Sequence, residues 1–418
     1  MTEQTGAGSL PEIRVPTALT FAGLAAGLAL GIALKGTSAL DPLLAVAEPL
    51  GALWLRALKM TILPLVVGLL FTGIIQTAAA ARAGATARRA LGLIVAVLAA
   101  GGVLAAFAMP LLLDIVPVPE RAAQALSGGG ADGPQDVPGV ADFLASLLPA
   151  NIVEASAADA MLPVVIFVAL FALAACRLPE APRRQLALFF EALAGAMMVV
   201  IGWVLMLAPV GVFALALGVA AQSGMAAIGA LAHYIALVSS IGLLILIAAY
   251  FLAVLAARQR PGAFARAVLP AQAVAISTQS SLASLPAMLA ACRKLGIRES
   301  NAEFVLPLAV AIFRATSPAM NLAVVIYAAE LTGVPLSPGV LAAGVGVAVL
   351  LSLSTVSLPG TISFVATIGP IALAMGVPIE PLALLVAVEM LPDIMRTLAN
   401  VTMNVAVTAA VDRNGGGG

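Results

Sequence analysis

Apolar residues fill this chain in long runs separated by short polar gaps, and most runs have the length a helix needs to cross the roughly 30 Å hydrocarbon core of a bilayer. The gaps predict helices at 15–35, 43–76, 89–113, 140–176, 186–221, 226–257, 301–329 and 382–411, about eight spans in all. Two further apolar stretches carry polar centres. In 263–292 the centre is Ser277, Thr278, Gln279, Ser280 and Ser281, followed by Ser284 and Pro286; in 340–375 it is Ser352, Ser354, Thr355, Ser357, Pro359 and Gly360.

Charge orients these elements. Arg82, Arg88 and Arg89 share one gap, Arg177, Arg183 and Arg184 another, Arg258, Arg260 and Arg266 a third, and Arg293, Lys294 and Arg298 a fourth. Basic loops stay on the cytoplasmic side, so these four gaps and the N-terminus are expected there. The stretch from Asp114 to Asp142 holds five carboxylates against Arg121, and the gaps near Ser223, Glu330 and Glu380 hold no Lys or Arg, so those face outward. Segment 263–292 then begins and ends inside, and 340–375 begins and ends outside. Each is expected to be a re-entrant hairpin, and together they form an inverted pair. Non-helical backbone survives at membrane depth only where protein or a wet cavity satisfies it, so two hydroxyl-rich tips entering from opposite faces imply a central site. The plainer alternative is a pair of Ser-tolerant helices packing through small residues.

Composition sharpens the class. At 62% hydrophobic and 10% charged, 418 residues carry more apolar surface than one soluble core can hide. The formal net charge of zero gives no electrostatic footprint for nucleic acid. Cys176 and Cys292 are too few and too far apart for a disulfide framework, and His233, the only histidine, has no ligand-type neighbours in sequence. No cofactor is expected. The first apolar run is long enough to remain as a helix, so no cleavable leader is expected.

The final helix carries the chemistry. Glu389, Asp393, Arg396, Thr397, Asn400 and Asn404 recur at steps of three and four, which stacks them on one helical face. A charge at the bilayer centre costs about 2.5–3.5 kcal/mol on insertion scales, so these groups need a partner or a substrate. Arg grips a carboxylate bidentately, Asp receives an ammonium and Asn donates to a second carboxylate. Together they describe an acidic α-amino acid. The alternative is an intrahelical ion pair that serves packing alone.

The run Asp393-Ile-Met-Arg396-Thr397-Leu-Ala-Asn400-Val-Thr402 resembles the D-x-x-R-T-x-x-N-V-T helix of the glutamate/aspartate transporter family, the dicarboxylate/amino acid:cation symporters. Ser280-Ser-Leu-Ala-Ser-Leu-Pro286 is similar to that family's SSSGTLP tip, and Leu58–Pro64, Ala208–Ala214 and Phe304–Leu308 match further landmarks in order. The resemblance implies an all-α membrane protein with inverted repeats, a homotrimer, and an elevator in which a transport domain crosses the bilayer against a scaffold. The expected division, after a tail at 1–14, is scaffold at 15–88 and 140–221, transport domain at 89–113 and 226–411, and a tail at 412–418. It also implies site roles: Arg396 for the substrate side-chain carboxylate, Asp393 for its ammonium, Asn400 and Ser281 for its α-carboxylate, with Ser280, Ser317, Leu358 and Thr397 alongside. Glu389 stands where the family has Asp and is expected to steady Arg396, while Pro392 is expected to loosen the helix there by removing a donor.

The departures concern sodium. Where the family's seventh helix unwinds at NMDGT this chain reads Phe313-Arg-Ala-Thr-Ser317, Asn404 replaces an Asp, and 90–113 contains no Ser or Thr. A hard cation needs oxygen ligands, and several are missing. The expectation is transport of L-aspartate or L-glutamate across the inner membrane with little or no sodium coupling, Arg314 standing in for part of the ion's charge and Glu389 or Asp393 carrying a proton. In the alternatives Arg314 snorkels to the cytoplasmic side, or one sodium remains near Ser352 and Thr355. An intramembrane protease is disfavoured because His233 and the serine cluster lie in different runs and Asp393 has no second aspartate. A non-transporting receptor of the same fold is the other competing class.

Overall fold

A computed structural model describes residues 16–82, 84–118, 147–353 and 360–414. Sixteen helices and no strand occur among the described residues. In order they are α1 (Thr17–Leu34), α2 (Leu40–Ala81), α3 (Ala85–Ile115), α4 (Ile152–Ala157), α5 (Met161–Ala175), α6 (Glu180–Met206), α7 (Ala208–Ser223) and α8 (Ala226–Leu255). There follow α9 (Pro261–Thr278), α10 (Leu285–Lys294), α11 (Glu299–Ile312), α12 (Ser317–Thr332), α13 (Pro338–Ser352), α14 (Gly360–Ala374), α15 (Glu380–Leu385) and α16 (Met390–Asn414). Six stretches, among them α2, α3, α6 and α8, are long and apolar enough to cross a membrane, and α1, α5, α7 and α13 are shorter apolar helices. The chain is an all-α, multi-pass membrane protein.

The expected segments at 15–35, 43–76, 89–113 and 226–257 correspond to α1, α2, α3 and α8. Four others, expected as continuous, are broken. The described part of 140–176 contains two helices: Asn151 Oδ1 caps α4 by accepting from Val153 N at 2.9 Å, and Asp159, at φ 55°, ends that turn before α5 begins. Segment 186–221 divides at Leu207, because Pro209 brings no N–H and its ring opposes the Leu205 carbonyl. Segment 301–329 divides at Phe313–Thr316, where Phe313 is extended and Pro318 in the first turn of α12 cannot continue α11. Segment 382–411 divides at Val386–Glu389, which turn through tight bonds such as Ala387 N to Leu384 O at 3.1 Å. Pro392 therefore does not loosen a helix interior. It sits in the first turn of α16, where a missing N–H costs nothing.

The breaks position the site. Helix α12 is buried at every residue from Ser317 to Ala329 and packs on α3, α8, α13 and α14. Helix α16 packs on α8, α9, α10, α11 and α3. Both expected hairpins are paired helices: α9 against α10, with Gln279 left-handed at φ 50° at the turn, and α13 against α14. The tip of the second hairpin, with Thr355 and Leu358, lies outside the described residues. At the other side α1 runs parallel to α7 through a ridge of Gly23, Gly27 and Gly31. A Cβ on Gly27 would stand 2.5 Å from Phe213 O and one on Gly31 2.7 Å from the Ala220 Cβ, so only glycine lets these backbones meet.

Candidate functional site

Three helix termini meet around one guanidinium. Arg396, in the second turn of α16, donates through Nη2 to Glu389 Oε1 at 2.6 Å and through Nη1 to Asn321 Oδ1 of α12 at 2.7 Å, and its Nε lies 3.4 Å from Asp393 Oδ1. Glu389 is 2% exposed although it precedes α16, because the turn at Val386–Glu389 folds its side chain back toward Arg396. Its second oxygen accepts from Tyr234 OH of α8 at 3.2 Å. Asn321 Nδ2 donates in turn to Ser317 Oγ at 3.0 Å and to Thr367 Oγ1 of α14 at 2.8 Å. The network thus ties α8, α12, α14 and α16 together. Buried ions endure only with such partners, since desolvation costs each several kcal/mol.

A second node sits at the break between α11 and α12. Asn400 Oδ1 accepts from Thr316 N at 2.9 Å and from Thr316 Oγ1 at 3.0 Å, closing backbone that the helix leaves open. The amide nitrogen of Asn400 remains as a donor. Arg314, in the same break, is half-buried and interacts electrostatically with Asp393 and with Arg396. Asn404, one turn beyond Asn400 and fully buried, has no hydrogen-bond partner at either amide atom among the described residues. Thr397 is buried beside these groups.

The hydroxyls expected from the hairpins are placed differently. Ser280 Oγ accepts from Ala283 N at 3.2 Å, and Ser284 Oγ donates to Ser280 O at 2.9 Å, so these groups order the tip of the first hairpin. Ser281 is half-buried in that same turn. Ser352 Oγ donates to Ala348 O at 2.6 Å within its own helix. The structure therefore joins Glu389, Asp393, Arg396, Arg314, Ser317 and Asn400 in one interior and leaves Ser280, Ser281 and Ser352 engaged locally or at a tip. Thr316, Asn321, Thr367 and Tyr234 were not anticipated. Tyr234 had a usable signal: with 14 Phe and 3 Tyr in the chain, a tyrosine in a membrane helix is a hydroxyl where Phe would pack equally well.

The fixed charges balance. Arg314 and Arg396 give two positive charges, and Glu389 and Asp393 give two negative ones. The arrangement presents hydrogen-bond donors, acceptors and charges of both signs in one cluster of side chains.

Comparison with known proteins agrees with this architecture. A family described as the sodium:dicarboxylate symporter family matches residues 17–414. The proton/sodium-glutamate symport protein of Bacillus subtilis (strain 168) is 28% identical over 404 residues, covering 94% of this chain and 90% of that protein. The proton/glutamate-aspartate symporter of Escherichia coli (strain K12) is 29% identical over 266 residues, covering 64% and 60%. The neutral amino acid transporter B(0) of Oryctolagus cuniculus is 30% identical over 434 residues, covering 92% and 77%.

Proposed function

This chain belongs to the sodium:dicarboxylate symporter family, and we propose that it carries L-aspartate or L-glutamate together with a proton, and with little or no sodium. The observation that carries the proposal is the state of Arg396, whose guanidinium is held by Glu389, Asp393 and Asn321. A substrate carboxylate that binds Arg396 competes with Glu389 for it. Protonation of Glu389 weakens its hold, so proton and substrate favour each other's binding, which is the linkage a symporter needs. Charge gives the same answer: an acidic amino acid adds about one negative charge at neutral pH to a balanced site, and one proton restores neutrality. A neutral amino acid would leave Arg396 with its protein partners and gain no such exchange.

In this reading Arg396 takes the side-chain carboxylate, Asp393 the ammonium, and Asn400 Nδ2 with Ser281 the α-carboxylate, with Ser280, Ser317, Thr397 and Leu358 around them. Arg314 supplies fixed positive charge in the break between α11 and α12. The protein works as a homotrimeric elevator in the inner membrane with a cytoplasmic N-terminus, residues 15–88 and 140–221 forming the scaffold. Supporting this, α3 packs on α12, α13 and α16, whereas α1 and α2 pack on α7.

A second reading has one specific observation in its favour. The unpartnered Asn404 amide leaves a buried oxygen that a sodium ion would satisfy, at a position where the resembling family places a carboxylate. Uptake of radiolabelled aspartate into proteoliposomes, with sodium, pH and voltage varied independently, separates the two. We expect uptake driven by an inward proton gradient in choline medium and lost in Arg396→Gln. A tenfold or greater tightening of aspartate binding by sodium, about 1.4 kcal/mol of coupling, would establish the sodium reading instead. Absence of counterflow would make the protein a receptor.

A further inference from the structure

We infer that Tyr234 is a positioning residue for proton coupling: its phenol makes Oε2 of Glu389 the oxygen of that carboxylate that takes up and releases the proton. The inference rests on the reading of Glu389 as proton carrier. The two oxygens of Glu389 have unlike neighbours, Oε1 facing Arg396 Nη2 at 2.6 Å and Oε2 facing Tyr234 OH at 3.2 Å. A guanidinium only donates, so a proton on Oε1 would be set against an N–H. A phenol both donates and accepts. It gives its hydrogen to the carboxylate, and when Oε2 is protonated it rotates and receives that O–H. The proton moves between water and Oε2, and no other bond changes.

The surroundings fix the ring and leave only the hydroxyl to turn. Tyr234 is fully buried, and its ring meets the edge of Tyr327 at 5.4 Å and 62°. Tyr327 is itself anchored, its OH reaching Ala230 O at 3.2 Å and lying 3.1 Å from His233 Nδ1, while His233 Nε2 donates to Val116 O at 2.9 Å. The charged and titratable groups facing Glu389 are Asp393 and Arg396 from α16 and Tyr234 from α8; Arg314, from the break before α12, acts on Asp393. From α12 itself come the neutral Asn321 and, against Tyr234, Tyr327; α14 contributes Thr367. Tyr234 is the member of this set that can serve both protonation states of Oε2.

The test is the pH profile of aspartate affinity for the purified full-length protein, measured for wild type, Glu389→Gln, Tyr234→Phe and 3-fluorotyrosine at position 234. In the wild type, affinity is high at low pH and declines above a midpoint, and Glu389→Gln flattens the profile. Tyr234→Phe removes a charge-assisted bond from the ionised carboxylate and a weaker neutral one from the protonated acid, so the midpoint rises by the difference, about one pH unit or a tenfold gain in proton affinity. Fluorotyrosine is a more acidic, stronger donor of nearly the same shape, and it moves the midpoint down. A purely structural tyrosine would lower affinity by the same factor at every pH. A flat wild-type profile overturns both the coupling reading and this inference. A sloping wild-type profile whose midpoint is unchanged in the Phe and fluorotyrosine proteins overturns the inference alone. Should Tyr234→Phe fail to fold, the fluorotyrosine protein decides by itself.

Discussion

Arg314 and Arg396 differ in what holds them, and the difference sets their roles. Arg396 is fixed by Glu389, Asn321 and Asp393 and is the group a substrate carboxylate must win over, whereas Arg314 lies half-buried in a helix break beside Asp393. Replacing Arg314 by Met leaves one positive charge against two negative ones in the interior. We expect aspartate affinity in choline to weaken at least tenfold, about 1.4 kcal/mol, since an anionic substrate then enters a site with an excess of negative charge. Sodium should then restore part of it by filling the same electrostatic need. Titration calorimetry of the Met protein in sodium and in choline checks this, and wild-type affinity in both salts would remove Arg314 from the charge balance. Glu389, Asp393 and Arg396 were visible in the sequence because they recur at steps of three and four, although Glu389 stands in the turn before α16, and Arg314 was visible as a charge inside an apolar run. Tyr234, Asn321, Thr316 and Thr367 were not, because each comes from another element and only packing brings them to the stripe.

Among the elements, the breaks carry the chemistry and the close-packed helices carry the frame. At the site, Pro318 and Pro392 stand in the first turns of α12 and α16, where a missing N–H is tolerated, and both helices start there with their N-terminal ends. Asn400 then closes the gap in the α11–α12 connection by accepting twice from Thr316. The frame depends on close approach instead. Gly27 of α1 faces Phe213 O of α7, where an added Cβ would lie at 2.5 Å. Gly27→Val must push the two backbones apart, and overpacking of this kind costs about 1–3 kcal/mol or more. The expected result is a lower thermal midpoint with the pH profile of aspartate binding unchanged. A shifted profile at unaltered stability would place α1 in the binding machinery.

For the whole molecule, the proposed movement of a transport domain against a scaffold would break the contacts that cross between the two proposed domains. One is polar: Lys59 Nζ of α2 donates to Glu380 Oε1, at the start of α15, at 2.7 Å. Burial pushes the Glu380 carboxyl up, but the hydrogen bond and charge of Lys59, together with backbone amides, bring it below the usual carboxylate range. A carboxyl with a depressed folded value stabilises the pairing above its free value and loses that contribution as pH falls through the folded value. This contact is therefore intact at neutral pH and released in acid. Both side chains are about half exposed, so the pair contributes about 0.2–1 kcal/mol. Lys59→Gln should shift the balance between inward and outward states by no more than about fivefold, and Lys59→Glu with Glu380→Lys should restore it. Single-molecule distance measurements between the two proposed domains would show this, and identical state populations in all three proteins would mean the contact does not cross a moving boundary.

The membrane class, the order of the apolar runs, the two hairpins and the spacing of the charged residues near the end of the chain are legible in the sequence alone. Those properties follow from run length, period and the sidedness of Arg and Lys, all of which are local along the chain. The resemblance of 393–402 to a known helix added the family. Where the helices stop, and what the buried polar groups touch, depends on the folded packing. The spans 140–176, 186–221, 301–329 and 382–411 read as continuous because apolar content does not register a proline or a tight turn inside a long hydrophobic run. The partners of Arg396 come from α12 and from the turn before α16, and Glu389 meets Tyr234 across 155 positions of sequence. A buried charge takes whichever partners the fold brings within hydrogen-bond reach, and that reach is set by helix packing across the chain, not by spacing along it.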